Sequence, residues 1–510
     1  MISSKSMEKE IEQAILDWKG LETEARHEGF DELISVWGVA AALTAMEKLF
    51  GEEISLVVDG VCEATCILPK RKDIKTIATY YHRLYNGGTE SIVSQLAKIW
   101  SESGYKVIVI TDEAPNQLDY MLPEGTVREI LPRYVAGDFE ERSVRIEKIC
   151  QDYNIDAFVS HAWSAPSLLW DVLTVKAMGV PFISYAHGAA SSMALLNDKH
   201  LLTLPKIYQL IDSVLTLSGS DSFYWSLYSG CVIKIIDPVP IAIPDEDLPD
   251  TKLPNLLWIG RIEPHKNFRD LLSVITRVKE VFPEVRLQVV GGEEEGTGHI
   301  ERFQKDINER GLSSNIELCG YQTDIISFYK NAAVFIMTSL TESFSLTLLE
   351  SKVLGLPCVA YDIPYLDMFR DGEGMFIVPQ YDTEAMAAKI TKLLMDDQLS
   401  KEMGEGARTS SRKYTEFDHH LFWESLFKGL KERKKNTIKS DVKDAQLFIE
   451  SLFTNSINKE DTIRAEYNAK YWEYDDGKGP RLLVKAYRTA FIQTLLKPIK
   501  FLGNKKKGNH

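Results

Sequence analysis

Glu342-Ser-Phe-Ser-Leu-Thr-Leu-Leu-Glu350 sets one carboxylate just before an apolar run and a second inside it. Leu346, Leu349, Val353 and Leu354 fall at helical spacing, so the run from 346 to 354 reads as a helix. Glu342 then sits in the loop that feeds the helix, and Glu350 lies a little over one turn in, toward the ligand side. The amides of Ser345, Leu346 and Thr347 would point into the gap between them, where a helix start suits an anion. A ligand with hydroxyls at both ends and phosphates in the middle, such as a nucleotide sugar, fits that layout. In a chain with 74 acidic residues the spacing also arises by chance, so its surroundings decide the reading.

Upstream lies Leu256-Leu-Trp-Ile-Gly260-Arg261-Ile-Glu-Pro-His-Lys266-Asn, a buried strand ending in glycine and followed by two cations five residues apart. Downstream, Gly355-Leu-Pro-Cys-Val-Ala is a helix stop leading into another buried strand. This ordered set resembles the retaining glycosyltransferases of family 4, which have the GT-B fold, and the resemblance runs from about residue 73 to 430. It implies an α/β chain of two Rossmann-like doubly wound domains facing a central cleft, with extra mainly helical segments at both ends.

The pattern along the chain agrees with that division. Residues 1–72 read as a mainly helical extension, with apolar positions such as Ile15, Trp18, Leu21, Leu33 and Trp37. From Lys75 strands alternate with helices, which indicates parallel sheets. The first half, 73–242, has strands expected at 76–81, 106–111, 157–160, 181–186 and 213–217. The acidic, proline-bearing stretch 243–254 reads as a linker. The second half, 255–412, has strands expected at 256–259, 286–290, 316–318, 334–337, 357–360 and 374–378. Residues 413–430, with Phe417, Phe422, Trp423 and Phe427, would form a helix crossing back to the first half. Residues 431–510 make a second helical extension.

Composition sets further bounds. A chain of 510 residues exceeds one core. No run of eighteen apolar residues suggests a spanning helix, and the first ten residues lack the apolar core of a signal peptide. Six scattered cysteines form no disulfide framework, which fits a cytoplasmic location. The formal charge is -15, yet after Asp476 no acidic residue follows, while Lys478, Arg481, Lys485, Arg488, Lys497 and others do. Apolar residues interleave with these cations at helical spacing. The stretch 478–510 therefore either lies on an anionic membrane surface, peripheral at its inner face, or packs on the protein body. The acidic balance elsewhere argues against a nucleic-acid partner.

The chemistry is read from the same residues. Breaking a sugar–diphosphate bond builds negative charge on the leaving group, which the protein must stabilise. Arg261 offers a planar fork and Lys266 a compact charge for that purpose. The resemblance implies that Glu342 contacts donor sugar hydroxyls and Glu350 the ribose hydroxyls. It also implies that amides near Ser345 and Leu346 meet the phosphates, with Gly260 at the strand end beneath them. Ser343 and Ser345 stand where the family often has glycine, so the identity of the sugar stays open. Gly87-Gly88 is a turn where backbone can approach a ligand, and in the family this loop lies near the donor phosphate and the acceptor. His187, at a strand end, is expected to contact a sugar hydroxyl near the reacting carbon; His161 is a second candidate.

There is no nucleophile elbow, and no P-loop pattern occurs. Asp245-Glu-Asp247 falls in the linker, so no metal ligand and no cofactor is expected. The co-substrate expected is a nucleotide-diphosphate sugar, a UDP-sugar first and a GDP-sugar second. The expected partner is a glycan or lipid-linked acceptor, as in cell-surface polysaccharide or glycoconjugate synthesis. Front-face attack, with the departing phosphate taking the acceptor's proton, is what the family implies. Two alternatives stay open: a GT-B sugar-nucleotide epimerase and a non-catalytic nucleotide-sugar-binding protein.

Overall fold

The computed structural model describes residues 4–19, 36 and 73–431, apart from 86, 136–138, 191–192, 194–199, 230, 240–253, 294–295, 323, 364, 367 and 369–373. The linker before Pro254 and the basic stretch 478–510 lie outside the described residues, as does nearly all of 20–72.

Two parallel sheets form the frame. The first has strands β1 (Thr76–Tyr80), β2 (Lys106–Thr111), β3 (Val127–Ile130), β4 (Ala157–Ser160), β5 (Phe182–Tyr185), β6 (Ser213–Thr216) and β7 (Val232–Lys234) in the order β3-β2-β1-β4-β5-β6-β7. The second has β8 (Asn255–Ile259), β9 (Arg286–Val290), β10 (Ile316–Gly320), β11 (Val334–Met337), β12 (Cys358–Tyr361) and β13 (Met375–Val378) in the order β10-β9-β8-β11-β12-β13. The central strands are buried on both faces, which is why they read as unbroken apolar runs rather than alternating ones. Strands β3 and β7 were not expected from sequence. Val127–Ile130 is half-exposed at the sheet edge and carries Arg128 and Glu129, and Val232–Lys234 is three residues long, so neither leaves an apolar run.

Both sheets reverse their winding beside the first strand of the half, between β1 and β4 and between β8 and β11. A doubly wound sheet holds its ligands at such a point, outside the strand C-termini. The pairing that creates the first crevice is direct: the His161 amide, just past β4, donates to the Tyr80 carbonyl at 2.9 Å. In the second half the Ala333 amide donates to the Asn255 carbonyl at 2.8 Å, holding β11 against β8.

Helices cover these sheets. Helix α1 (Ser4–Lys19) places Ile11 and Ile15 in the core of the first half. Helix α2 (Gly88–Glu102) buries Ile92, Val93, Leu96 and Trp100 behind β1 and β2. After the second sheet the long helix at Asp397–Thr415 is followed by another at His419–Lys431, which packs on α2. Trp423 stands edge-on to Trp100, with ring centroids 4.8 Å apart, and Phe427 meets Tyr105 at 5.3 Å. Such aromatic pairs add about 0.5–1.5 kcal/mol each beyond the area they bury. Among the described residues no helix is long and apolar enough to cross a membrane.

Candidate active site

The second crevice is built from two loops. After β8 the chain runs through Gly260 and Arg261 into a single turn of 3-10 helix, Pro264–Lys266. Gly291, at the end of neighbouring β9, must lack a side chain, because a Cβ there would lie 1.9 Å from the Gly260 carbonyl oxygen. After β11, Thr338 donates its hydroxyl to the Lys266 carbonyl at 2.8 Å, and the Leu340 amide donates to the His265 carbonyl at 2.9 Å. These bonds hold the two loops together. They bring Lys266 Nζ to 2.6 Å from Glu342 Oε1, with both side chains largely shielded from solvent.

Burial works to raise the Glu342 carboxyl, but the charge of Lys266 and the Lys266 hydrogen bond outweigh it, so its pKa lies below the usual value. Tyr365 fixes the backbone of the same residue: its hydroxyl donates to the Glu342 carbonyl at 2.8 Å, and the Glu342 amide reaches that oxygen at 3.2 Å. Arg261 is 45 % exposed, and its Nε lies 3.0 Å from Glu263 Oε1. Burial and the Lys266 charge lower the pKa of the neighbouring His265 to about 4, leaving a neutral ring beside the cations.

A helix of eight residues, Leu346–Val353, starts beside Glu342 with Ser345 as its N-cap. Its first-turn amides lack helical acceptors, as at any helix start. The first half approaches at this point, since a Cβ on Gly88 would meet Leu346 Cδ1 at 3.3 Å. Gly87 is the extended N-cap of α2. Behind it Arg83 pairs with buried Glu90 at 3.1 Å. Burial raises the Glu90 carboxyl, and the charge of Arg261 acts on both Glu90 and Tyr81. Arg261 is thus near enough to this loop for its charge to bear on Glu90 and Tyr81.

His187 follows β5 at the C-terminal edge of the first sheet. Its Nε2 lies 2.7 Å from His161 Nδ1, and the Tyr185 ring stacks on it at 4.3 Å. Burial lowers the His187 pKa to about 3 and drives that of His161 well down too. Two neutral imidazoles thus share one hydrogen. Gly188 is required beside them, because a Cβ there would fall 1.9 Å from Trp163 Cζ2.

Comparison with known proteins gives this geometry its family. Residues 86–222 match the family model described as Glycosyltransferase Family 4, and residues 242–410 the one described as Glycosyl transferases group 1. The chain belongs to the group 1/family 4 glycosyltransferases.

This glycosyltransferase is 25 % identical over 281 residues to a poly(glycerol-phosphate) alpha-glucosyltransferase of Bacillus subtilis, covering 54 % of this chain and 39 % of that one. It is 26 % identical over 345 residues to a phosphatidyl-myo-inositol mannosyltransferase of Mycolicibacterium smegmatis, covering 64 % of this chain and 85 % of the relative. A third relative, an exopolysaccharide phosphotransferase of Streptomyces coelicolor, is matched over 32 % of its length at 24 % identity. The chain therefore spans well under half of two of these relatives. Among solved structures, Anabaena HepE in complex with UDP and glucose superposes with a TM-score of 0.56 at 14 % identity, over 71 % of this chain and 99 % of that one. A variant of S. aureus TarM in complex with fondaparinux, alpha-GlcNAc-glycerol and UDP gives 0.56 at 14 %, over 69 % and 100 %. These likenesses establish the GT-B fold of the transferase.

The structure adds residues that sequence reading of the transferase did not single out. Tyr329, on a different helix, donates its hydroxyl to Glu350 Oε2 at 2.7 Å. Glu350 is 4 % exposed, and burial raises its pKa to about 7 despite that bond. A carboxyl whose folded pKa is raised keeps its proton longer in the folded state. Its cost is absent below the unfolded value near 4.5, grows as pH rises toward 7, and stays constant above. Glu350→Gln should therefore be more stable than wild type at pH 8 by up to about 3 kcal/mol, with the difference shrinking toward zero at pH 4. Denaturant midpoints of the two proteins at both pH values measure this; a gap that is independent of pH would contradict it.

Ser345 takes a left-handed conformation, φ 69° and ψ 72°. An L side chain there costs roughly 1–2 kcal/mol relative to glycine. Its hydroxyl lies 3.2 Å from the Met337 sulfur, a weak bond that recovers little of that. Ser345→Gly should raise stability by about 1 kcal/mol in chemical denaturation. A loss of stability would show that the sulfur contact and the added backbone freedom outweigh the strain.

Proposed function

We propose that the chain is a retaining, metal-independent glycosyltransferase that moves a sugar from a nucleotide-diphosphate donor to a glycan or lipid-linked acceptor. The observation that carries this reading is the 2.6 Å contact of Lys266 with Glu342 beside the start of the Leu346 helix, with Arg261 in the loop that leads into the Lys266 turn. Cations for a diphosphate and a carboxylate for sugar hydroxyls thus converge where two halves meet.

In this reading the diphosphate lies on the Ser345–Leu346 amides, and Arg261 leaves Glu263 to take up charge on the departing phosphate. Helix-start amides and a guanidinium aimed at the leaving group stabilise charge that grows only in the transition state. Glu342, ionised and held by Lys266 and Tyr365, accepts hydrogen bonds from the sugar. Glu350 accepts the ribose hydroxyls with the oxygen that Tyr329 leaves open, and Gly260 forms the floor at the strand end. His187 contacts the sugar from the other wall, beside Gly87 and Gly88. The acceptor attacks from the face the nucleotide leaves, and the departing phosphate takes its proton.

UDP is the nucleotide we assign first, in keeping with the UDP named in the HepE and TarM complexes. The names of the bacillary and mycobacterial relatives point to an acceptor that joins a polyol to phosphate, and so to surface glycoconjugate synthesis. The test of mechanism is methanolysis. With a UDP-α-sugar in aqueous methanol, retention predicts the α-methyl glycoside, read from the anomeric proton coupling before any rearrangement. A β-methyl glycoside would exclude the front-face route.

A further inference from the structure

Just past β1, on the crevice side of the first sheet, His82 is gripped by an array that the donor reaction does not use. Its Nδ1 lies 2.8 Å from Asp112 Oδ2, at the end of adjacent β2. The backbone locks the same two residues, because the Asp112 amide donates to the His82 carbonyl at 3.0 Å. Asp112 is then held from behind. Tyr80 donates its hydroxyl to it at 2.9 Å, and Arg142 Nη1 donates to its other oxygen at 2.9 Å. Arg142 is 1 % exposed and is itself fixed by a two-pronged contact to Asp171, at 2.8 and 2.9 Å. His82 is the most exposed of these, with a side chain 44 % exposed against 10 % for Asp112.

Burying an arginine and its carboxylates is costly, and such a set is weak as a source of stability. Here it ends on one half-exposed ring. A carboxylate only accepts hydrogen bonds, so the neutral His82 ring must carry its hydrogen on Nδ1. In that neutral ring Nε2 presents its lone pair on the exposed edge. His82 opens the loop that follows β1, the strand beside the winding reversal, and further along that loop a Cβ on Gly88 would meet Leu346 of the opposite half at 3.3 Å, which sets this segment at the cleft. A fixed hydrogen-bond acceptor at the winding reversal of the first sheet suits an incoming hydroxyl.

We propose that His82 is a binding residue for the acceptor substrate, its Nε2 accepting a hydrogen bond from a polyol or sugar hydroxyl while Asp112 holds the ring. The inference rests on the glycosyltransferase reading and adds to it the residue that receives the acceptor. The test uses the full chain with UDP-glucose as donor and glycerol as surrogate acceptor, comparing wild type, His82→Phe and His82→Gln, with UDP affinity measured by calorimetry. His82→Phe should raise the KM for glycerol at least tenfold and leave UDP affinity unchanged. His82→Gln, which offers a carbonyl oxygen, should recover part of the loss. An unchanged KM for glycerol, or a fall in UDP affinity that matches the fall in transfer, would overturn the proposal. Nitrogen-15 NMR of the His82 ring tests it without turnover, since a proton on Nε2 and none on Nδ1 would overturn it too. A wild-type protein that fails to bind UDP would instead refute the donor site, a failure seen before any His82 variant is made.

Discussion

Replacing Arg261 by alanine should lower kcat for nucleotide release about a hundredfold or more, on the scale of removing one preorganised donor from a developing anion. Its Nε–Glu263 pair is half exposed, and exposed pairs contribute little to stability, so the fold should survive the change. Nucleotide affinity should fall less than kcat, because the charge on the bridging oxygen grows only as the bond breaks. Arg261→Lys should recover part of the rate, having charge but no fork. Steady-state kinetics with calorimetric nucleotide binding separate these effects. A variant with wild-type kcat would remove Arg261 from the leaving-group role.

The second large effect concerns stability. Lys266→Met should destabilise the protein by roughly 3–5 kcal/mol, the usual cost of stranding the partner of a buried ion pair. Glu342 is the stranded group: burial raises its carboxyl, and Lys266 is the main influence that brings it down. In the double variant Lys266→Met/Glu342→Gln no charge is left behind, so much of the lost stability should return while activity stays absent. Denaturation curves of the two single variants and the double variant read this coupling directly. Additive losses would show that the 2.6 Å contact does not couple the two residues.

The frame was legible in the sequence because its signals are local. Central strands such as Ala157–Ser160 and Val334–Met337 are buried on both faces, and their apolar runs mark them without reference to the rest of the chain. The Glu342–Glu350 stretch is local in the same way, a loop passing straight into a helix. Pairings between distant segments left no such mark. Tyr329 reaches Glu350 from another helix, and Asp112, Arg142 and Asp171 meet only once three separate elements have packed. Nor does serine announce a left-handed backbone, so the strain at Ser345 was visible only as a departure from the glycine that the family often has there. Arg261 shows a third limit: its position was readable, but its Glu263 contact belongs to a neighbour with no motif of its own.

Nucleotide release from a panel of UDP-, GDP- and ADP-sugars, by wild type and by Glu342→Ala, tests the central claim most directly. The account predicts slow hydrolysis of one donor, with UDP-sugars first in order, and its loss in the variant. Silence across the panel, joined by the absence of nucleotide binding in calorimetry, would contradict it.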